Sequence, residues 1–240
     1  MKSVATAACF DPGIPGTPEI AWRESLGRHE VWAPRPGPLL VVSPHPDDEV
    51  FGAGGLMRMW RAWGYPVTLL SVTDGEAAYP EWAGLGARRQ SELRRALGVL
   101  SGEPISTLRL GLPDGRLAAN RSALEEALAP LCEDHPTVIA PYERDGHPDH
   151  EAVGQACLQV AHELELPIVR YPIWAWHHRH PSDFEGARFG RFAFDAATRA
   201  AKERAMGCFI SQLAPGPRRI PIVPAHVVDY FRRDCEAFVL

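Results

Sequence analysis

The five cysteines of the chain are too few and too scattered to cross-link it or to hold a metal ion. They are odd in number and show no Cys-x-x-Cys spacing; their positions are Cys9, Cys132, Cys157, Cys208 and Cys235. A disulfide framework or a zinc knuckle requires paired, closely spaced cysteines. We therefore expect buried thiols in a reducing compartment, and we predict a cytoplasmic protein.

Long apolar runs and blocks of like charge are also missing. No segment approaches the roughly 18 apolar residues that cross a bilayer, so we expect no membrane insertion. The formal net charge of −5 is spread over alternating signs along the 240 residues, which argues against a nucleic-acid partner. Lysine is nearly absent, with only Lys2 and Lys202. This bias is typical of a GC-rich genome, and we expect a bacterial source.

What the sequence does contain is a regular alternation of strand and helix patterns from residue 38 onward. The pattern predicts strands at 38–44, 67–72, 106–112, 137–142 and 167–173, and helices at 52–63, 87–100, 121–133, 151–163 and 196–210. Such alternation is typical of an α/β three-layer sandwich with a mostly parallel central sheet. The length fits one large domain, which we assign to residues 38–240. Residues 1–37 are rich in proline and glycine, and we predict an extended N-terminal arm there.

The first predicted strand ends in a cluster of side chains that bind metal ions. His45, Asp47, Asp48 and Glu49 directly follow a buried, β-branched run. In open α/β sheets, ligands bind just outside the carboxyl ends of the strands, so the position suits a functional site. The alternative is a polar loop whose aspartate caps the next helix.

A second cluster follows the strand predicted at 137–142. It consists of Asp145, His147, Asp149 and His150, and it again opens a predicted helix. Two histidines three residues apart, with an acid between them, suit a metal ligand, a second functional imidazole and an acid that orients it. Because the carboxyl ends of parallel strands meet at one edge of the sheet, the two clusters are expected to converge on one ion.

These motifs resemble those of the PIG-L family of metal-dependent N-deacetylases, also called LmbE-like proteins. Residues 44–49 match the [A/P]HPDDE motif, and residues 147–150 match the HPDH motif. Weaker matches are T-x-G-E at 73–76, R-x-x-E-L at 89–93, L-G-x-x-D-G at 110–115, and K-x-x-A-M at 202–206 followed by Ser211-Gln212. The resemblance covers about residues 38–230 and implies a Rossmann-like fold with the active site at the carboxyl ends of the strands.

The resemblance also implies a metal site and its chemistry. His45, Asp48 and His150 would bind a divalent ion, usually zinc, with an open fourth position. Ferrous iron and other divalent ions also accept two histidines and one aspartate. Asp47 would be the general base. His147, oriented by Asp149, would be the protonated partner that stabilises the developing oxyanion.

Two further residues match positions that contact substrate in the family. Arg89 and Asp114 would hold sugar hydroxyls or a neighbouring polar group. The alternative for Arg89 is a surface arginine near Glu92. The alternative for Asp114 is an ordinary Pro-Asp-Gly turn.

The region around Trp174, Trp176, His177, His178 and His180 is open to three interpretations. It could form a rim whose aromatic faces stack on sugar rings, a second metal site, or a solvent-exposed polar loop. We expect the exposed loop. Over 174–195 as a whole, we expect either a short antiparallel addition to the sheet or a lid.

The resemblance implies a zinc-dependent hydrolase of linear amides that removes an N-acyl group, in the first place N-acetyl, from an amino sugar conjugate such as an N-acetylglucosamine derivative. One alternative is a metal-dependent esterase or phosphoesterase, but the sequence lacks a second carboxylate-rich ion site and a phosphate-binding Gly-Lys loop. Another is a non-catalytic sugar-binding protein, for which Asp47 and His147 would have no use. The sequence leaves open whether the chain forms a homo-oligomer.

Overall fold

The computed structural model describes residues 14–102, 104–217 and 221–240. Within these residues, seven strands form one sheet: β1 (Leu39–Ser43), β2 (Val67–Ser71), β3 (Ser106–Arg109), β4 (Thr137–Pro141), β5 (Ile168–Tyr171), β6 (Phe189–Ala193) and β7 (Cys235–Val239). Their order is β3-β2-β1-β4-β5-β7-β6. The first five strands are parallel, and β7 runs antiparallel to both of its neighbours. The predicted α/β fold with a mostly parallel sheet is confirmed.

The helices lie on both faces of the sheet. Those resolved in the described ranges are α1 (Glu19–Leu26), α2 (Asp48–Ala62), α3 (Leu85–Ser101), α4 (Arg121–Glu133), α5 (Pro148–Glu163), α6 (Ala175–His178), α7 (Ala196–Met206), α8 (Ile210–Leu213) and α9 (Ala225–Val228). Short 3₁₀ turns occupy Leu117–Asn120, Pro181–Phe184 and Asp229–Phe231.

The two layers of core follow from the alternation of side chains along the buried strand β1. Leu39 and Val41 belong to the core under α2, α3 and α7. Leu40 and Val42 belong to the second core, under α4 and α5. Because successive residues of a strand point to opposite faces, a strand that is apolar throughout must be covered on both sides.

Two helices begin earlier than the sequence pattern predicts. We predicted α2 from residue 52 and α5 from residue 151, but they begin at Asp48 and Pro148. The first turn of each helix carries polar motif residues, so apolar periodicity does not reveal it. Pro148 fits the first helical position because its fixed φ suits a helix and its missing N–H would have no partner there. The metal-motif residues Asp48 and His150 therefore lie in first helical turns.

The C-terminal part adds the antiparallel edge. The expected addition within 174–195 is strand β6, which pairs with β7 over five residues. The final segment contains both α9 and β7. None of the helices within the described residues is long and apolar enough to cross a bilayer.

The described part of the predicted N-terminal arm contacts the sheet domain. Trp22 on α1 is 1% exposed, and its indole N–H donates to the Trp176 carbonyl at 2.7 Å. Arg233 binds both carboxylate oxygens of Glu19, at 2.8 and 2.6 Å. Residues 1–13 lie outside the described residues, as does Cys9, and the division of the chain at residue 37 stays a prediction. Cys132 and Cys157 are buried free thiols.

Candidate metal centre and catalytic cavity

The site lies where the order of the strands reverses. From β1, the chain proceeds to β2 and β3 on one side, and then to β4 and β5 on the other. The loops that leave β1 and β4 therefore diverge and open a crevice at the carboxyl ends of these neighbouring strands. One loop carries His45, Asp47 and Asp48, and the other leads to His147 and His150.

Three donor atoms form a nearly equilateral triangle in this crevice. His45 Nδ1 lies 3.2 Å from Asp48 Oδ2 and 3.2 Å from His150 Nε2, and His150 Nε2 lies 3.1 Å from Asp48 Oδ2. Tetrahedral zinc with bonds of about 2.0–2.1 Å places its ligand atoms roughly 3.3–3.4 Å apart. The three predicted ligands therefore meet with the donor types and the spacing of one face of a tetrahedron.

Asp145 holds one of these ligands in place. Its carboxylate is fully buried and lies 2.8 Å from Nδ1 of His150. The same carboxylate accepts hydrogen bonds from three consecutive backbone amides, those of Ile173, Trp174 and Ala175. An acid on Nδ1 leaves the lone pair of Nε2 free for a metal. We did not predict this role for Asp145, although an acid five residues before His150 was available as a signal.

The charges around the two histidines favour a cation. Burial alone would lower the pKa of His150, but Asp48 and Asp145 raise it to about 9. Burial likewise opposes protonation of His45, yet the carboxylates of Asp114, Asp149 and Asp48 raise its pKa well above the ordinary value. A site that stabilises added protons so strongly also stabilises a metal ion that replaces them.

Asp47 stands beside the triangle in a strained conformation. Its φ is +147°, a region that non-glycine residues rarely adopt and that is found at functional sites. Burial raises the pKa of its carboxyl to about 7, against the opposing charge of Arg89, whose Nη2 lies 3.4 Å from Asp47 Oδ2. A carboxyl that titrates near neutral pH can both accept and return a proton.

Glu49 stabilises the turn that contains Asp47. Its fully buried carboxylate accepts a hydrogen bond from the Ser43 hydroxyl at 2.7 Å and one from the Asp47 backbone amide at 3.3 Å. Burial raises the pKa of Glu49 to about 8. The residue thus braces the loop between β1 and α2 and does not line the cavity.

Arg89 is buried, so the alternative of a surface arginine does not hold. It is 3% exposed, and its guanidinium donates to the carbonyl of Gly75 at 3.0 Å. Gly75 has a φ of +65°, and a Cβ built at this position would lie 2.3 Å from Arg89 Nη1. Glycine is required here both for the turn and for the close approach of the arginine.

Asp114 and Asp149 approach the opposite nitrogen of His45. His45 Nε2 lies 3.1 Å from Asp114 Oδ1 and 3.3 Å from Asp149 Oδ2. These three side chains form a second set whose ligand atoms lie within 4.8 Å of one another. The Asp149 carboxylate is already occupied by the amides of Gly115 and Leu117, at 2.7 and 3.2 Å. Part of this second set is thus already used in hydrogen bonds to the backbone. Asp114 does more than complete a turn.

His147 faces the cavity beside the triangle. Its ring centroid lies 4.9 Å from that of His45 and 4.6 Å from that of His150. The Asp149 backbone amide donates to His147 Nδ1 at 3.3 Å. Burial lowers the pKa of His147 well below its ordinary value, and His150 and His45 lower it further. A lowered pKa favours a neutral His147 ring, whereas the family resemblance implies a protonated one. The role of His147 stays a prediction.

The cavity beside the triangle has a volume of about 470 Å³, and its lining includes two groups of residues, which we call the polar wall and the apolar wall. Arg89 and Asp114 lie on the polar wall. The apolar wall consists of Phe51, Ile173, Ile222, Val223 and Phe231. We did not predict the apolar wall, because its members are scattered along the chain and look like ordinary core residues in the sequence.

The expected exposed loop around Trp174 is wrong. Trp174, Trp176 and His177 are 5%, 3% and 4% exposed, and residues 175–178 form helix α6. Only His180 of this group is exposed. Trp22 on α1 and Phe189 on β6 pack against Trp176, and those contacts cannot be seen in the local sequence. Trp174 lines the cavity, which agrees with the alternative of a substrate-facing rim.

Comparison with known proteins points to one family. The model of the PIG-L family, described as GlcNAc-PI de-N-acetylase, matches residues 40–161. A 1D-myo-inositol 2-acetamido-2-deoxy-alpha-D-glucopyranoside deacetylase of Catenulispora acidiphila is 30% identical over 191 residues, which cover 67% of this chain and 54% of that protein. Diacetylchitobiose deacetylase of Thermococcus kodakarensis is 30% identical, with 54% and 51% covered. The chain spans about half the length of the curated relatives it matches.

Solved structures share the fold. A conserved protein of Thermus thermophilus is 29% identical, with a TM-score of 0.59 and coverage of 84% of this chain and 93% of that chain. The 4-carboxy-2-hydroxymuconate hydratase GalB of Pseudomonas putida has a TM-score of 0.61 at 16% identity, with 85% and 94% covered. Because a hydratase has this fold, the reaction must be argued from the residues of the site.

Proposed function

Because the chain belongs to the PIG-L (GlcNAc-PI de-N-acetylase) family, we propose that it is a metal-dependent hydrolase that removes an N-acyl group from an amino sugar conjugate. The observation that carries the proposal is the triangle of His45, Asp48 and His150 with Asp47 beside it. The two matched relatives described above are both named as deacetylases of amino sugar compounds. We assign the activity to one domain, residues 38–240.

The triangle would hold a divalent ion, and zinc is our first assignment. Two imidazoles and one carboxylate suit zinc, and ferrous iron accepts the same ligands. A divalent ion bound there supplies Lewis-acid chemistry: it polarises a carbonyl and lowers the pKa of water. His45, Asp48 and His150 would hold this ion, and Asp145 keeps His150 in the tautomer that presents Nε2.

Asp47 performs the proton transfers in this proposal. Its carboxylate accepts a proton from the attacking water and then gives that proton to the nitrogen of the leaving amine. The amide C–N bond breaks, and the products are a carboxylic acid and a free amino sugar. A pKa of about 7 suits both steps, because neither protonation state of Asp47 is then strongly disfavoured.

The remaining residues position and stabilise the substrate. His147 donates a hydrogen bond to the oxygen that becomes negatively charged, a contribution that grows as the charge develops. Asp149 acts indirectly through His147 and through the loop at Gly115 and Leu117. Arg89 and Asp114 bind sugar hydroxyls from the polar wall of the cavity.

The test is amine release from a panel of N-acetylglucosamine conjugates by metal-reconstituted protein. We expect a primary amine to appear and the signal to be lost in Asp47→Asn, which keeps the size of the side chain. Chromogenic esters and phosphoesters run in parallel test the alternative hydrolase classes. A protein that binds one equivalent of metal, binds sugar and releases no amine would overturn the proposal in favour of a binding role.

A further inference from the structure

The apolar wall consists of side chains that the chemistry of deacetylation does not need. Phe51, Ile173, Val223 and Phe231 are 2%, 4%, 7% and 5% exposed, and all belong to one hydrophobic cluster. Ile222 is half-buried and packs against the same cluster. The Phe51 and Phe231 rings meet edge to face with centroids 5.0 Å apart. All five side chains line the cavity and belong to, or pack against, the same hydrophobic cluster.

This surface begins directly beside the proposed metal ligands. Phe51 lies one turn along α2 from Asp47, and its amide donates to the Asp47 carbonyl at 3.0 Å. Ile173 is tied to the other side of the triangle, because its amide donates to Asp145, the residue that holds His150. A substrate whose carbonyl lies at the triangle therefore brings the neighbouring atoms close to Phe51 and Ile173.

Two groups are attached to the carbonyl carbon of an N-acyl amino sugar, namely the sugar nitrogen and the acyl chain. Sugar hydroxyls need hydrogen-bond partners, which Arg89 and Asp114 offer on the polar wall. The five side chains of the apolar wall carry no group that can hydrogen-bond to a hydroxyl. The acyl chain is attached directly to the reacting carbonyl and is therefore the group placed nearest to Phe51 and Ile173, where a single acetyl methyl group would contact only part of the wall.

We propose that the preferred substrate carries an N-acyl chain longer than acetyl, bound against Phe51, Ile173, Ile222, Val223 and Phe231. The inference rests on the proposed N-acyl hydrolase function and names the acyl class of its substrate. A cavity of about 470 Å³ leaves room for such a chain beside the sugar. Each methylene that the wall removes from water should raise kcat/KM by roughly fourfold.

The experiment compares N-acetyl, N-butanoyl and N-hexanoyl glucosamine carrying one common aglycone. We expect kcat/KM to rise at least tenfold from acetyl to hexanoyl. A second series keeps the N-acetyl group and lengthens an alkyl aglycone. If N-acetyl is hydrolysed and lengthening the acyl chain brings no gain, the inference is wrong, and a gain confined to the aglycone series would assign the wall to that group. If no N-acyl substrate of any length releases amine, the proposed function itself fails.

A pair of valine variants tests the wall directly. Val223 and Val228 are 7% and 6% exposed and lie in the same cluster, but only Val223 lines the cavity. Val223→Thr places a hydroxyl where the chain would bind and should reduce the ratio of hexanoyl to acetyl kcat/KM severalfold. Val228→Thr adds the same hydroxyl away from the cavity and should leave the ratio unchanged. Equal ratios in both variants would overturn the assignment.

Discussion

The part of the chain that forms the parallel strands β1–β5 and the C-terminal part after β5 contribute different residues to one cavity. The first supplies the titratable side chains, and the second supplies most of the apolar wall. All titratable residues of the proposed site lie between β1 and the first turns of α5, within the segment that the family model matches. Four of the five residues of the apolar wall lie after β5. The chemistry and the shape of the substrate pocket are thus encoded in separate stretches of sequence. We therefore expect substitutions in the C-terminal part of the wall to affect substrate preference more than the proposed chemistry.

The two parts are nevertheless joined at buried polar contacts. Asp145, in the parallel part, accepts from the amides that open the C-terminal part. In the reverse direction, the Glu236 carboxylate accepts from the amides of Gly55 and Leu56 in α2, close to the non-helical Ala53. Lys202 lies 2.6 Å from Glu236, and both are buried. These contacts set the position of the two motifs relative to the apolar wall.

The largest expected effect is a loss of catalysis in a protein that still binds metal. Asp47→Asn should lower kcat by about 10²–10⁴-fold, because the group that transfers protons is lost. Metal content, measured on the purified protein, should remain near that of the wild type. A variant that keeps turnover within a few-fold of wild type would contradict the assignment of Asp47. His150→Ala is the contrasting variant, since it should lose metal and activity together.

A second prediction concerns the buried Lys202–Glu236 ion pair, which helps to join the two parts. Lys202→Met should destabilise the fold by about 3–5 kcal/mol, because the buried Glu236 carboxylate then lacks its countercharge. Denaturant unfolding of the wild type and the variant measures the difference. The double variant Lys202→Met with Glu236→Gln should recover part of the loss. A loss no larger than the few tenths of a kcal/mol that are typical of exposed ion pairs would show that the pair is not a structural junction.

The third prediction concerns the other junction. Asp145→Asn should weaken metal affinity about 10–100-fold, because an amide no longer holds His150 as a carboxylate does. Titration with zinc in the presence of a competing chelator measures the change. Glu92→Gln serves as the matched control, since Glu92 is also buried but accepts its hydrogen bonds from the amide and hydroxyl of Ser211. A metal affinity that falls as much in Glu92→Gln as in Asp145→Asn would contradict the role of Asp145.

The smallest expected effect tests whether the apolar wall and the metal triangle are independent of each other. Ile222→Val removes one methylene from a half-buried wall residue and should cost less than about 1 kcal/mol of unfolding free energy. Metal affinity should stay within twofold of wild type, while the KM for acyl substrates changes. Thermal unfolding and zinc titration of the same preparation test both statements. A clear loss of metal would show that the wall and the triangle are not independent.

Local patterns were enough to predict the elements that carry the site. The order of the predicted strands and helices and the position of both motifs at strand ends agree with the sequence interpretation. The starts of α2 and α5 were missed, because their first turns are polar and lack helical apolar periodicity. The burial of Trp174, Trp176 and His177 was also missed, because it depends on elements distant in the chain.

The sequence by itself determined which donor atoms exist and which strand ends present them, since alternation of apolar runs and turn residues acts locally. Only the tertiary structure brought His45 within 3.2 Å of His150, 105 positions away, and placed an apolar wall beside them. That result required two parallel strands to pair in register and one C-terminal segment to cover the sheet. Contacts of this kind depend on the packing of the whole domain, and no short stretch of sequence specifies them.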